Sequence, residues 1–385
     1  MTESRLVSLF ALPGLPEIAA GDDLGMLLAR ALRDERIELR DGDIVAIASK
    51  VVAKAEGRAV EISGRADHEG LVTEQSNRVV AERLSAAGTT QVVRSKAGPV
   101  MAAAGIDTSN VEGGKVLLLP GDADRSAREL RRELAGRTGA HVGVIVTDTA
   151  SRPWRVGVSD FALGAAGVNV LDDLRGHADS DGRTLKMTVR ALADELAGAA
   201  DLVKDKTLGL PVALIRGLGT YVVQDAAEHD AGRPGDEGAA PLVRDDEDDW
   251  FRYGHVEAIR AALGVRTGEV DSPPIDSGVD DLPSRVKRAI RVASAGTSPL
   301  SGTAGWVMRP IASGAAVRVT EAQHAAGLVK APEGAHPMMV ATAGLGALLQ
   351  RLDAALWAED LRGDHVIDWR PDGLPDHATV TIRLP

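Results

Sequence analysis

Short runs of β-branched and aliphatic residues alternate along the chain with longer segments in which leucine and alanine recur every three or four positions, so strands and amphipathic helices are interleaved. Leu6 to Leu12, Val116 to Leu119 and Pro211 to Ile215 read as strands, and Ile44 to Ala48 and Val144 to Val146 as buried ones. Leu24, Leu27, Leu28, Ala31 and Leu32 share one helical face, with Asp22 and Asp23 placed to cap it. Ser126 to Leu134 predicts a helix starting at Asp124 or Ser126. Val189 to Lys204 predicts another, with Val189, Leu192, Leu196, Ala200 and Val203 on one side. Glu74 to Leu84 carries a weaker helical pattern. Further on, helices are expected over Trp250 to Leu263, Val286 to Ala293 and Ala341 to Trp357, and His377 to Leu384 alternates like a strand.

Two stretches break the periodicity. Asp225 to Asp249 is acidic and rich in glycine and alanine, a flexible loop or a domain linker, and Val270 to Pro283 is a connector of proline, aspartate and glycine. With 385 residues there is room for two domains, each with its own core. A formal net charge of -12 argues against nucleic acid or an anionic membrane as partner, while a phosphorylated small molecule remains compatible with local arginines or a metal ion. The chain has no cysteine, so disulfides, thiolate metal sites and cysteine nucleophiles are excluded and any metal must take oxygen or histidine ligands. The amino terminus lacks the basic and apolar regions of a signal peptide, and no apolar run reaches the roughly 18 residues of a spanning helix. A soluble, cytoplasmic protein is expected.

Candidate chemistry collects where strands end. Val144 to Val146 run into Asp148 and Thr149, two hard oxygens of the kind Mg²⁺ or Mn²⁺ prefers, or an ordinary polar turn; Arg152 and Arg155 follow and suit phosphate oxygens. Ile44 to Ala48 deliver Ser49, Lys50 and Lys54, a hydroxyl and two ammonium groups fit for phosphates. Pro13 to Ile18 is a stiff turn, either a connector or a loop held open to a ligand. Gly105 lets the backbone approach a ligand, and Asp107, Ser109 and Asn110 follow within one turn, where Asp107 either caps its own backbone or pairs with Asp148 around a metal. Gly157, Gly164 and Gly167 around Phe161 suggest close packing or a ligand floor. Gly217-Leu-Gly219 lacks the third glycine of a dinucleotide fingerprint, and Gly113-Gly-Lys115 lacks the Ser/Thr of a P-loop. His255, His324, His336 and His365 are scattered and are read as surface or core residues.

Gly14-Leu-Pro-Glu-Ile18, Gly42-Asp-Ile-Val45, Ser49 to Arg58, Ala103 to Asn110, Thr147-Asp-Thr149 and Ala199 to Lys204 together resemble, in order, the coenzyme F420:L-glutamate ligase family. The resemblance runs from about Leu6 to Gly219. It implies a GTP-dependent enzyme that joins L-glutamate to the lactyl carboxylate of the glutamate-free F420 precursor through an acyl phosphate, with further γ-linked glutamates as an option. It implies an α+β protein with a two-part ligase fold, a homodimer, and two divalent ions, Mg²⁺ or Mn²⁺, with K⁺ as an optional further ion. On this likeness Asp107 and Asp148 match metal-binding aspartates and Thr149 a second-metal ligand, while Leu15, Pro16, Glu17, Ile18, Ser49, Lys54 and Asn110 match GTP-contacting positions. Arg152 and Arg155 are candidates from the residues alone. Small-molecule substrates are the expected partners, with neither nucleic acid nor membrane.

The second half resembles a fused nitroreductase-like domain only in fragments: Leu242-Val-Arg244 to Trp250-Phe251, Arg288-Ala-Ile-Arg291, Trp306, and Gly344 to Trp357. The arginine- and serine-rich FMN entry motif is missing, so a smaller, diverged α/β domain without FMN is expected, with the ligase over 1–244 and this domain over 245–385. Arg94 to Val100 departs from the family pattern. Two other classes compete, a metal-dependent GTP-binding regulatory protein and a metal phosphohydrolase; both would lack glutamate-dependent product.

Overall fold

The computed structural model describes residues 6–85, 88–108, 114–223, 237–245, 247–273, 281–295, 306–311, 316–321, 337–372 and 374–383. It divides into two units, Met1–Arg78 with Val93–Asp249, and Val79–Val92 with Trp250–Pro385. The protein is mixed α and β throughout, in keeping with the α+β class.

In the first unit, strands β1 (Ser8–Ala11), β2 (Ile44–Ala48), β8 (Gly143–Ser151), β9 (Val158–Ala166) and β12 (Val212–Arg216) form one sheet in the order β1-β12-β2-β8-β9. Only β2 and β8 are parallel, with Ala48 opposite Thr147. Helices α1 (Leu24–Asp34) and α4 (Ala123–Thr138) cover one face, where Leu28, Leu32, Leu130 and Leu134 meet Val45, Ile47, Val144 and Val146. Helix α5 (Leu192–Asp201) covers the other, setting Leu192, Leu196 and Ala200 against Ile44, Ala46 and Ile145. Burial on both faces is why these strands read as apolar runs rather than alternating ones.

Local signals set the helix ends. The Asp23 carboxylate accepts the Met26 N–H at 2.7 Å and so caps α1. Asp122, not Asp124 or Ser126, caps α4, accepting the Arg125 N–H at 2.8 Å, and Gly139, with φ 76°, ends it. Gly164 lets β9 lie against α4: a Cβ there would stand 2.4 Å from the Ala123 carbonyl, so of the expected glycines Gly164 and Gly167 serve close packing, while Gly157, with nothing within 4 Å, does not.

Smaller pieces complete the unit. Helix α2 (Ser49–Ala55) follows β2 directly, β3 (Ala59–Glu61) pairs with β7 (Lys115–Leu117), and α3 (Arg65–Glu74) leads into β4 (Ser76–Ser85), β5 (Gly88–Ser95) and β6 (Val100–Ala102). The helix expected over Glu74 to Leu84 is therefore a strand. Val80 and Glu82 are buried with less buried neighbours between them, and this period of two outcompetes the charge spacing that suggested a helix. Likewise Val189 is not part of α5; with Arg190 it forms β11 (Val189–Arg190), paired with β10 (Asp172–Asp173).

The second unit packs helices α6 (His255–Ala262), α7 (Leu282–Ser294) and α8 (Pro337–Ala358) with strands β13 (Trp306–Pro310), β14 (Ala316–Glu321), β15 (Arg362–Trp369) and β16 (Pro375–Arg383). Val286, Val292, Leu345, Leu352, Leu356, Val317 and Val380 make its core. Its sheet, β13-β14-β16-β15, is antiparallel at every step, which corrects the α/β expectation for this half. No parallel crossover unit is present among the described residues of this unit. Inside lies a set of paired charges: the Arg288 guanidinium donates to both Glu359 oxygens at 3.1 and 2.6 Å, while the Arg285 Nε–H donates to the Glu359 carbonyl at 3.0 Å. Glu257 accepts the Glu82 N–H at 3.0 Å and an Arg83 N–H at 2.7 Å, tying the hairpin segment 79–92 into this unit. No helix among the described residues is long and apolar enough to cross a membrane.

Candidate active site

The parallel ladder of β2 with β8 ends at Ala48 opposite Thr147, while β8 itself runs on to Ser151 paired with β9, so Asp148 and Thr149 lie within the strand and not beyond its exit as the sequence suggested. Beyond Ala48 comes Ser49; beyond Thr147 come Asp148 and Thr149. A cavity of about 630 Å³ opens there, lined by the loop Leu15–Ile18, by Ser49, Lys50 and Lys54 of α2, by Asp107, and by Thr147 to Thr149. Asp160 on β9, and Lys204 and Lys206 after α5, complete its polar wall.

Strand geometry sorts these groups. Successive residues of β8 point to opposite faces, so Thr147 and Thr149 share a face and Asp148 looks the other way. Asp160 lies directly across the β8–β9 ladder from Thr149, and the Thr149 hydroxyl donates to its carboxylate at 2.6 Å. The Lys204 ammonium meets the other Asp160 oxygen and donates to the Thr147 hydroxyl at 2.6 Å. With side chains only 6% and 3% exposed, Lys204 and Asp160 form a buried ion pair. Lys206 reaches the Thr149 hydroxyl oxygen at 3.2 Å.

Asp148 is the perturbed group. Burial pushes its carboxyl up to about 6 and the Asp160 charge adds to this; hydrogen bonds from the Thr149 N–H, at 2.9 Å, and from the Ser49 hydroxyl oppose it, as does the Lys206 charge. A carboxylate held at this cost beside an open volume is the mark of a functional group. Asp107 arrives by a strained route. Ala103, Ala104 and Gly105 all have positive φ, at 48°, 55° and 74°, and a Cβ on Gly105 would stand 2.8 Å from Met101. Asp107 then bridges to Leu117 and meets the Lys50 ammonium at 2.5 Å. Lys54 pairs with the exposed Glu17.

Residues 14–217 match the model of the family described as F420-0:Gamma-glutamyl ligase, more than half of the chain. The chain belongs to the F420-0:gamma-glutamyl ligase family. Among its relatives, the coenzyme F420:L-glutamate ligase of Methanopyrus kandleri is 44% identical over 215 residues, covering 52% of this chain and 83% of that protein. The protein of the same name from Archaeoglobus fulgidus is 40% identical over 229 residues, 55% of this chain and 88% of its own. That from Haloarcula marismortui is 36% identical over 278 residues, 68% of this chain and all of its own length. The match to the family model ends before Trp250, where the main part of the second unit begins.

Of the residues expected from sequence, Leu15, Pro16, Glu17, Ile18, Ser49, Lys54, Asp107, Asp148 and Thr149 all line the one cavity. Asn110 lies outside the described residues. Arg152 and Arg155 occupy the exposed turn between β8 and β9, joined by a backbone hydrogen bond of 3.3 Å, and do not line the cavity. Sequence reasoning missed Asp160 and Lys206. The only signal for Asp160 was a lone carboxylate in an otherwise small and apolar stretch, Phe161 to Ala166, and Lys206 looked like one surface lysine among many.

The donor set fits a divalent cation at Asp107 and Asp148. Mg²⁺ and Mn²⁺ take one or two carboxylates and fill the rest of their shell with water and phosphate oxygens, and among the described residues no three His, Cys, Asp or Glu side chains converge to make a closed protein cage. Buried Asp148 would gain from a cation what desolvation takes away.

Proposed function

We propose that this protein uses GTP to join L-glutamate to the lactyl carboxylate of the glutamate-free coenzyme F420 precursor, with further γ-linked glutamates as an optional extension. The observation that carries the reading is the convergence, in one cavity where the β2–β8 ladder ends, of six carboxylates, Glu17, Asp107, Asp148, Asp160, Asp201 and Asp205, with four lysines, Lys50, Lys54, Lys204 and Lys206. Polyphosphate and a carboxylate substrate call for ammonium groups together with a divalent ion, which carboxylates can hold. The names of its relatives supply the substrates.

In the first step a lactyl carboxylate oxygen attacks the γ-phosphorus of GTP. A new O–P bond forms, the bond to the bridging oxygen breaks, and GDP leaves with the electron pair. The glutamate nitrogen then attacks the acyl carbon, the C–O bond to phosphate breaks, and the nitrogen loses a proton as the amide forms. Asp107 and Asp148 would hold a divalent ion, which supplies positive charge to phosphate oxygens. Lys50 and Lys54 are positioned to bind phosphate once they leave Asp107 and Glu17. Those pairs are solvent-exposed on at least one side and worth only about 0–1 kcal/mol each, so phosphate displaces them readily. The Leu15–Ile18 loop, with Gly14 at φ 80°, holds its backbone at the cavity wall to orient the nucleotide.

The test is phosphate release from GTP with Mn²⁺ and the F420 precursor, with and without L-glutamate, read beside product mass. A glutamate-dependent gain of one glutamyl residue is expected. Phosphate release with no glutamyl product would instead make the protein a phosphohydrolase, and tight GTP binding with no turnover would make it a regulator.

A further inference from the structure

Thr149 does not fit a second divalent ion. Its hydroxyl proton is committed to Asp160 at 2.6 Å, and one lone pair of the same oxygen faces the Lys206 ammonium at 3.2 Å. An ion on the remaining lone pair, about 2.1 Å from oxygen, would stand roughly 4–5 Å from that ammonium. The carboxylate that Thr149 touches does not offset the repulsion. Asp160 is neutralised by the buried Lys204, and Asp205 directs its Oδ1 at its own turn, accepting the Thr207 N–H at 2.7 Å, the Thr207 hydroxyl at 2.6 Å and the Leu208 N–H at 3.1 Å. Asp148 serves the first ion.

We infer that Lys206, backed by the Lys204–Asp160 pair, takes the place of a second metal ion beside Thr149, so that each chain binds one divalent cation rather than two. The inference rests on the nucleotide reading given above. In it Lys206 supplies a mobile single charge to the same phosphate oxygens: the side chain is exposed and held by the Thr149 hydroxyl and the Asp148 charge, so it can follow the phosphates as they move apart. The buried Lys204 holds the Thr147–Asp160–Thr149 wall in place.

The deciding experiment is a count of Mn²⁺ ions on the full chain, by electron paramagnetic resonance and calorimetry, in the presence of a non-hydrolysable GTP analogue. One ion per chain is expected. Lys206→Glu exchanges the exposed ammonium for a carboxylate against Thr149 and should raise the count to two, with no loss of fold since the side chain is at the surface. Two ions on the natural protein would overturn the inference while leaving the ligase reading intact. A Lys206→Glu protein that still binds one ion would overturn the role given to Lys206. If analogue and Mn²⁺ together fail to bind at all, the nucleotide reading falls and this inference falls with it.

Discussion

Both units bury charge, and they do so to different ends. In the second unit Arg288 and Glu359, each under a tenth exposed, meet through two hydrogen bonds, and Arg285 and Arg351 donate to backbone carbonyls. Charge there is largely closed on itself, although among the described residues the buried Arg260 Nε and one Glu257 oxygen lack a hydrogen-bond partner. In the first unit Asp148 has, among the described residues, no cationic hydrogen-bond partner comparable to the Arg288 guanidinium; its carboxyl is pushed up to about 6 and it faces a cavity. Burial of charge is thus not what marks a site. The mark is a charge whose compensation is left for something that is not part of the chain.

The sharpest way to break this contrast is Asp148→Asn. Ligation should fall by about a thousandfold or more, as expected when a group held for metal and phosphate is neutralised. The ligand-free variant should nonetheless be more stable than the natural protein above pH 6. Asp148 has a folded value near 6 against an ordinary 3.8, so its contribution to stability is intact below 3.8 and is lost as pH rises through 6. The gain at pH 8 should reach about 2–3 kcal/mol and vanish near pH 4 in urea melts. Glu359→Gln should do the reverse. With the Arg288 guanidinium buried opposite a neutral amide, stability should drop by about 3–5 kcal/mol, and Arg288→Met combined with Glu359→Leu should recover part of it, because a buried pair and a well-packed apolar pair are close in energy while the buried Arg260 still loses the Glu359 charge 3.9 Å away. Turnover per folded molecule should stay within about twofold of the natural enzyme for the double variant, a change too small to count as catalytic. Ser49→Ala removes the hydroxyl that donates to Asp148 and should weaken Mn²⁺ binding about tenfold in calorimetry. Smallest should be Arg152→Ala and Arg155→Ala, exposed side chains away from the cavity, with kcat and KM for GTP changing less than about twofold. A tenfold rise in either KM would show that the turn folds over the nucleotide.

What could be read from sequence divides along the range of the interactions. Strand β2 and the first half of β8 were legible because sheet faces buried on both sides demand unbroken apolar runs, and α1 because Asp23 caps it three residues before Met26. Asp107 was legible because it follows a glycine turn, and Asp148 and Thr149 because they follow the apolar run Val144 to Val146 within the same strand. Asp160 was not: it reaches Thr149 only through a hairpin ladder whose register slips at Val146/Thr147, and nothing local announces that slip. Lys206 meets Thr149 across 57 positions. Strand β4 was misread for a related reason, since Glu82 is an inward-facing carboxylate whose place is explained only by Gln91 and by packing against residues near Glu257.

The hairpin that includes Glu82 makes the two units inseparable by a single cut. Residues 79–92 are encoded within the first unit's stretch of sequence but folded with the second, so the backbone passes between units at three places, not one. A gene fragment ending at Asp249 would carry Glu82 and Arg83 away from Glu257, and one beginning at Trp250 would leave that carboxylate buried with neither donor.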